Sequence, residues 1–417
     1  MTYGPQDLAD PGLYRDGEPE PLWARMREAG PVQWIDRRDR EPFWAVLGHA
    51  AAVAVLRDPA RFSSAGGMRL DDNPAAVRSS ANRMLIVTDP PRHAQLRRVM
   101  NAAFTPRMVA RLRDTMRATV RFVLDEALER ETCDLVRVAA RLPVSVICDL
   151  LGVPPKDWDF MLDRTMTAFG HGNRGADPAA MAQAHTDILF YYAELVERRR
   201  REPGEDVVTA LVNGRVDGEP LTDEEIYLNC DGLVSGGNET SRHATVGGVR
   251  ALMAHPDQWA RMAGGDVSMD TAVPEILRFT SPAMHVARVA TTDLEIEGVR
   301  IRAGQRVAVW LAAANRDPRT FDRPDVLDAG RSPNRHLALA PGEHYCLGAA
   351  LAEMELTVMF EELCDRVRLP EPAGPAVRLH SNLIWGYESM PVRLRARRAR
   401  MAAPAPLSGP ARAGEPG

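Results

Sequence analysis

The spacing of apolar residues favours α-helix over most of the chain. Apolar positions recur with a helical period from about Arg92 to Leu195, and again from about Asp223 to Met262. We find neither an internal repeat nor a long linker that would divide these regions. The pattern therefore predicts long packed helices as the bulk of the fold.

A shorter stretch late in the chain has the pattern of strands. Apolar and polar residues alternate from Leu294 to Glu297, Gly298 interrupts the alternation, and Val299–Ile301 and Val307–Val309 continue it. A period of two is typical of β-strands, so this stretch predicts a small antiparallel sheet. Residues 315–335 are rich in Pro, Asp and Arg and predict irregular chain.

Composition sets the size and class of the fold. The chain has 417 residues, of which 45% are hydrophobic, so it can bury a large core. Together with the periodicity, this predicts one mainly α domain with a minor antiparallel β part over residues 1–400. Residues 401–417, which are mostly Ala, Pro and Gly, predict a disordered tail.

The net charge and the distribution of cysteines indicate the kinds of partner and the cellular compartment. The formal net charge is −5, which gives no general attraction to nucleic acid or anionic lipid. The five cysteines are scattered without a Cys-x-x-Cys pair, which favours a reducing cytoplasm over a disulfide framework. Residues 1–21 are polar and lack the apolar core of a signal peptide. No apolar run reaches the roughly 18 residues of a membrane span. We therefore expect a cytoplasmic protein.

One cysteine stands in a distinctive setting. The Pro- and Gly-containing loop that runs from His336 to Cys346 leads directly into a predicted helix that begins near Leu347. The positive end of a helix dipole lowers the pKa of a thiol and favours a thiolate, which can bind iron. An isolated buried cysteine is more often a small core residue. Here the neighbouring residues argue against that reading.

The residues around Cys346 carry a family resemblance. Gly342, His344, Cys346 and Gly348 match the pattern Phe-Gly-x-Gly-x-His-x-Cys-x-Gly. The chain thus resembles the cytochrome P450 family of haem-thiolate proteins, which implies the cytochrome P450 fold and haem b, with Cys346 as the ligand of its iron. Leu339 stands where Phe is usual and Ala340 where Gly is usual, which affects the tuning of the iron and the freedom of the turn.

Other motifs follow in the order of that family. Glu275 and Arg278 are neighbours on one helix face, and Arg331 follows in the irregular stretch. By themselves they form a common surface pair. The resemblance implies that they form a buried structural network.

The predicted second helical region contains Gly236 and Gly237, followed by Asn238, Glu239 and Thr240. Two adjacent glycines inside a helix cost roughly 1 kcal/mol each, which suggests a kink or a close approach of a ligand, although a helix–helix contact is the better explanation for a Gly pair taken alone. The resemblance implies that this segment crosses the oxygen side of the haem. Thr240 would then hydrogen-bond the oxygen molecule, and Glu239 would help relay protons.

Four further residues match the haem-carboxylate partners of the family. His93 and Arg97 are i,i+4 neighbours on a helix that starts after Pro90 and Pro91, and they can point at one anion. The resemblance implies that His93, Arg97, Arg288 and His344 hold the two haem propionates. A basic cluster at Arg97, Arg98, Arg107, Arg111 and Arg113 is either a docking patch for an acidic ferredoxin or a solvated basic face.

The resemblance also implies a monooxygenase that uses a small-molecule substrate and electrons from NAD(P)H, delivered through ferredoxin reductase and ferredoxin to a monomeric enzyme. The rival class is a haem protein for sensing or electron transfer. Family positions suggest a Met-rich, aromatic substrate pocket for a sizeable apolar molecule, or else plain core; the residues at these positions are Met84, Met161, Met166, Phe169, Met284, His285, Ile384 and Trp385. Such an enzyme often tailors a natural product (a polyketide, peptide, macrolide or terpene), either free or carried on a carrier protein. Steroid or fatty-acid hydroxylation is the alternative.

Overall fold

The computed structural model describes residues 3–37, 40–71, 73–168 and 177–397. The predicted tail at 401–417 and Phe169 lie outside these ranges, and the prediction of a single domain over 1–400 stays a prediction. The α-helices run as follows: α1 Pro11–Asp16, α2 Pro19–Ala29, α3 His49–Leu56, α4 Pro74–Ser80, α5 Arg92–Asn101, α6 Pro106–Leu128, α7 Leu135–Leu151, α8 Trp158–Ala168, α9 Pro178–Arg201, α10 Val207–Asn213, α11 Asp223–Ala254, α12 Pro256–Gly264, α13 Met269–Thr280, α14 Leu311–Ala314 and α15 Ala349–Arg366.

The strands are short. They run as follows: β1 Val32–Ile35, β2 Phe43–Val46, β3 Phe62–Ser63, β4 Cys133–Asp134, β5 Arg215–Val216, β6 Glu219–Pro220, β7 His285–Ala290, β8 Leu294–Ile296, β9 Val299–Ile301, β10 Arg306–Trp310, β11 Glu371–Pro372, β12 Val377–Arg378, β13 Tyr387–Ser389 and β14 Pro391–Arg393. The prediction of a mainly α fold with a minor antiparallel β part is confirmed.

The β part differs from the predicted sheet in one respect. β8 and β9 form the expected antiparallel hairpin, with Leu294 opposite Ile301. β10 does not continue this hairpin. It joins a five-stranded sheet of order β1-β2-β10-β7-β3, where it pairs antiparallel with β7 and parallel with β2. Alternation along β10 could not reveal this partner, because β2 lies far away in the sequence.

The central helix α11 is the longest and is defined by its own sequence signals. Thr222 and Glu225 form a capping box in which each side chain accepts from the backbone N–H of the other residue. α11 packs against α7, α9, α13 and α15. Residues of these helices form the largest apolar core, and two smaller cores lie against the sheet. α11 is therefore the internal axis of the helical region.

The predicted polar network is confirmed. Arg278 donates from Nε and from a terminal nitrogen to the two carboxylate oxygens of Glu275, at 2.7 and 2.8 Å. Arg331 Nε donates to the same carboxylate at 3.0 Å, and the backbone N–H of Asp328 does so as well. Arg278 also donates to the carbonyl of Asn315. The network thus ties α13 to the irregular chain at 315–335, which the structure confirms as irregular.

No helix in the described parts of the chain combines the length and the apolar character that a membrane crossing would need.

Candidate active site

Cys346 lies on a tight loop that ends at the start of α15. Its backbone N–H donates to the carbonyl of Leu339 at 3.0 Å, and its own carbonyl accepts from Ala349, the first residue of α15. Burial raises the pKa of the Cys346 thiol, although the backbone N–H of Gly348 and the charge of Arg97 oppose this. The backbone N–H at the helix terminus lowers this pKa as predicted, but desolvation is the larger effect and the net shift is upward.

The loop before Cys346 shows why Gly342 is a glycine. Gly342 has φ +102°, and a Cβ there would lie 2.2 Å from the carbonyl oxygen of Leu56. Ala340 has φ 49°, in the left-handed region that glycine adopts without cost. Alanine therefore carries local strain in this turn. Leu339 packs against the main apolar core.

His93 and His344 meet although they are far apart in the sequence. Their ring centroids lie 4.2 Å apart. Burial and the nearby charges of Arg97 and Arg288 lower the pKa of His93 to about 4. Burial, with Arg288 and His93 as the next causes, lowers the pKa of His344 to about 3. Both rings are therefore neutral at pH 7, and each can donate one hydrogen bond.

Two arginines complete this cluster. Arg97 donates to the carbonyl of Tyr345 at 2.7 Å. Arg288 is 5% exposed, and its guanidinium donates to the carbonyl of Ala287. Burial lowers the pKa of Arg288 to about 10. Within the described ranges no carboxylate forms an ion pair with Arg288, although the charge of Asp89 partly opposes the effect of burial.

This cluster fits a ligand that carries carboxylates. Both ring nitrogens of His93 are buried and lack a hydrogen-bond partner in the described protein; the nearest carboxylate, of Glu343, lies 3.9 Å from Nδ1. Buried polar groups normally have partners. Two anionic groups placed among His93, Arg97, Arg288 and His344 would supply these partners. The structure thus brings together all four residues that the resemblance implied.

Inside α11 the two glycines have different surroundings. Gly236 is exposed, and a Cβ there would meet no other residue's atoms within 4 Å, whereas one at Gly237 would approach Ile147 at 3.2 Å. Thr240 is half-buried, and its hydroxyl donates to the carbonyl of Gly236 at 2.8 Å. Gly236 therefore leaves open space beside Thr240, whereas Gly237 serves helix packing.

Glu239 points into the protein and is paired. Arg242 donates to one of its oxygens, and Nε2 of His243 lies 3.4 Å from the other. Burial raises the pKa of Glu239, but the adjoining Arg242 and His243 lower it further, so the net shift is downward and the carboxylate is ionised. Sequence reasoning missed Arg242 and His243, although their i,i+3 and i,i+4 spacing from Glu239 was a readable signal.

Sequence reasoning also missed Glu355 on α15. It is 5% exposed, and burial raises its pKa to about 7, while a hydrogen bond with the side chain of Ser241 on α11 opposes the shift. One of its oxygens lacks a partner among the described residues. Only the packing of α11 on α15 makes this carboxyl unusual, so no local pattern could have identified it.

The residues suggested for a substrate pocket divide into two groups. Met161, Met284 and His285 have no exposed surface, and His285 stacks on Trp310 at 4.8 Å between ring centroids. These three are core residues, because a residue that lines an open cavity keeps accessible surface. Residues that keep accessible surface are Met84, Met166, Ile384 and Trp385. Met84 approaches Gly232 of α11, and Trp385 packs edge-on against Trp23.

A haem-thiolate site would need a cysteine at a helix terminus, a cluster that fits carboxylates and an opening beside a hydroxyl on a central helix, and the structure has all three. Residues 268–375 match the family model for cytochrome P450. The chain is 38% identical to cytochrome P450 NovI of Streptomyces niveus over 93% of its own length and 96% of NovI. It is 34% identical to a steroid C26-monooxygenase of Mycobacterium tuberculosis (strain ATCC 25618 / H37Rv), over 94% of this chain and 98% of that one.

A solved structure agrees with these similarities. P450 OxyD, described as involved in the biosynthesis of vancomycin-type antibiotics, superposes with a TM-score of 0.87 at 38% identity, over 94% of this chain and 100% of OxyD. The chain belongs to the cytochrome P450 family and is a monooxygenase. The family implies a haem iron, redox partners that supply electrons, and a small-molecule substrate. The sensor and electron-transfer alternatives are thereby set aside.

Proposed function

We propose that this monooxygenase hydroxylates or epoxidises a sizeable apolar molecule in a natural-product tailoring step. The observation that carries the proposal is the likeness to OxyD along nearly the whole chain, since OxyD takes part in antibiotic biosynthesis. The likeness to the steroid C26-monooxygenase, at 34% identity, favours steroid hydroxylation as the second candidate.

Five residues would hold haem b. Cys346 would bind the iron through its sulfur, and iron ligation would offset the burial that otherwise keeps the thiol protonated. His93, Arg97, Arg288 and His344 would hold the two propionates, which would satisfy the free nitrogens of His93 and neutralise Arg288. When bound, the haem supplies the iron at which oxygen is reduced and the substrate oxidised.

Thr240 and Glu239 would form the path along which protons are delivered. The Thr240 hydroxyl lies beside the opening at Gly236 and can donate a hydrogen bond into it. Glu239 is the adjacent ionised group and can pass protons toward Thr240 from the interior of the helix bundle. Substrate, oxygen, two electrons and two protons would give the oxidised product and water.

Electrons would come from NAD(P)H through a ferredoxin reductase and a ferredoxin. Of the proposed basic patch, Arg107 pairs with Glu205 and Arg111 with Asp149, so their charges are partly neutralised. Arg98 and Arg113 are exposed and form no ion pair with any described residue. These two would give most of the attraction to an acidic donor. The substrate, free or carrier-bound, would meet a cytoplasmic monomer.

A spectral screen tests the substrate class. Purified protein is titrated with polyketides, peptides and terpenes, each free and tethered to a carrier protein, and with steroids as the comparison set. A substrate should convert the iron to high spin and then give an oxygenated product with ferredoxin, its reductase and NAD(P)H. Spin conversion and product with steroids alone would replace natural-product tailoring by steroid hydroxylation.

A further inference from the structure

We propose that Arg242 and His243 are positioning residues for Glu239. Each of them is held in turn by a segment assigned to the substrate pocket: Met166 on α8 holds Arg242, and Gly386 with Tyr387 holds His243. The proposal rests on the proton-relay role given to Glu239 above. It adds that residues outside α11 decide where the Glu239 carboxylate lies, and hence how well protons reach Thr240.

Glu239, Arg242 and His243 form a closed set, here called the Glu239 clamp. All three lie on one face of α11, and they are 8, 5 and 1% exposed. The two basic side chains reach different oxygens of the carboxylate. A carboxylate held from both oxygens cannot turn freely, so the clamp fixes its direction relative to the neighbouring Thr240. Thr240 meanwhile donates to Gly236.

The backbone of a distant segment contacts the ring of His243. The N–H of Tyr387, at the start of β13, donates to Nδ1 of His243 at 3.3 Å. This contact makes Nδ1 the acceptor nitrogen, and burial lowers the pKa of the ring, so it favours a neutral ring with its proton on Nε2. The terminal nitrogen of Arg242 that donates to Glu239 also lies 3.3 Å from Nε2. Nε2–H is the group that faces Glu239.

Gly386 makes this contact possible. A Cβ at this position would lie 2.4 Å from Cγ and from Nδ1 of His243, so any other residue would displace the ring. Gly386 directly follows Ile384 and Trp385, the segment that sequence analysis assigned to the substrate pocket. A shift of the backbone at 384–387 would therefore move the His243 ring and, with it, the Glu239 clamp.

Arg242 is held from another segment of the same kind. One of its terminal nitrogens contacts the sulfur of Met166, while the other reaches Glu239. Met166 keeps accessible surface near the end of α8. Arg242 and His243 are thus in contact with different pocket segments, so residues that do not contact Glu239 help to determine its geometry.

The test compares Gly386→Ala with the matched control Gly374→Ala, where a Cβ would meet Pro391 at an ordinary 3.4 Å. Nitrogen-15 NMR of the reduced carbonyl complex reports the protonated nitrogen of His243, with the resonance assigned by its loss in His243→Gln. We expect a proton on Nε2 in the native protein and in Gly374→Ala, and a changed signal in Gly386→Ala. A proton on Nδ1, or a signal that Gly386→Ala leaves unchanged, would overturn the proposal.

A second measurement follows proton delivery. Oxygen reduction is driven by NADPH with a surrogate ferredoxin and its reductase, without added substrate, and the share of oxygen recovered as hydrogen peroxide is determined. The peroxide-to-water ratio should rise by about fivefold, which is the lower end of typical coupling between sites, in Gly386→Ala, His243→Gln and Met166→Ala. It should not rise in the control Gly374→Ala. Met166→Ala serves as the second variant if Gly386→Ala does not fold.

The variant Glu239→Gln distinguishes a failure of the proton-relay role from a failure of the clamp proposal. If Glu239→Gln leaves the peroxide share unchanged, the proton-relay role of Glu239 fails. If Glu239→Gln raises the share but the Gly386, His243 and Met166 variants do not, the relay stands and the clamp proposal is wrong.

Discussion

Nε of Arg331 donates a hydrogen bond of 3.0 Å to the Glu275 carboxylate, which also receives two hydrogen bonds from Arg278 and has no exposed surface. One carboxylate therefore pairs with and orients two guanidinium groups from distant parts of the chain. Such a buried ion network tolerates the loss of a member poorly, because the remaining charges cannot return to water.

Glu275→Ala should destabilise the protein by about 3–5 kcal/mol, since it leaves Arg278 buried without a counter-ion. Denaturant-induced unfolding measures this. The matched control is Arg300→Ala, which removes an exposed ion pair with Asp293 and should cost less than about 1 kcal/mol. Equal effects of the two substitutions would show that the network contributes no more than a surface pair.

Ala340→Gly should stabilise the loop that leads to Cys346. Alanine at φ 49° is strained and glycine is not, so we expect a gain of about 0.5–1 kcal/mol in the free energy of unfolding. The control is Ala352→Gly on α15, where glycine should cost about 1 kcal/mol. A loss of stability in Ala340→Gly would refute the strain argument.

Cys346→Ser should abolish the thiolate spectrum. The reduced carbon monoxide complex of the native protein should absorb near about 450 nm, and the variant should lose this band. Cys364→Ala, at a cysteine inside α15, should keep it. A band near about 420 nm in intact native protein, or an unchanged band in Cys346→Ser, contradicts the assignment of the ligand.

Thr240→Ala should divert electrons from product to hydrogen peroxide, because the hydroxyl beside the Gly236 opening is lost. We expect product per electron consumed to fall by about tenfold or more. Thr240→Ser, which keeps a hydroxyl, should retain most of the coupling. The ratio of product to NAD(P)H consumed measures the effect, and an unchanged ratio in Thr240→Ala would remove Thr240 from the proton path.

His285 should make the protein sensitive to acid. Burial lowers its pKa to about 4, below the ordinary value of 6.5, so the folded state favours the neutral ring. The stability from this preference is complete above pH 6.5 and is lost as the pH falls from 6.5 toward 4, because the unfolded chain binds the proton first. The slope is about 1.4 kcal/mol per pH unit for one histidine.

His285→Phe should remove this share of the pH dependence while it keeps a ring against Trp310. Unfolding free energies of both proteins are measured between pH 8 and pH 5. Their difference above pH 7 gives the cost of the substitution itself. The native protein should lose about 2 kcal/mol more than the variant between pH 6.5 and pH 5. Parallel curves would show that His285 does not titrate differently on folding.

The sequence predicted the parts of the site that depend on local spacing. The residues from Gly342 to Gly348, the i,i+3 pair Glu275 and Arg278, and the i,i+4 pair His93 and Arg97 are all legible because a turn or a helix fixes their separation. The mainly α class followed from periodicity for the same reason. The parallel pairing of β10 with β2 and the short N-terminal helices α1–α3 did not, because their signals are weak or distant in sequence.

By itself, then, the sequence determined the family pattern around Cys346, the dominance of helices and the identity of the residues that cluster around His93 and His344. Only the tertiary structure decided the environment of these residues. Burial raises the pKa of Cys346 against the helix dipole, and Ala340 is strained. His285 belongs to the core, and Glu239 is clamped by Arg242 and His243. The physical reason is that desolvation and partner choice depend on which distant segments pack together, whereas residue type and spacing are properties of the chain alone.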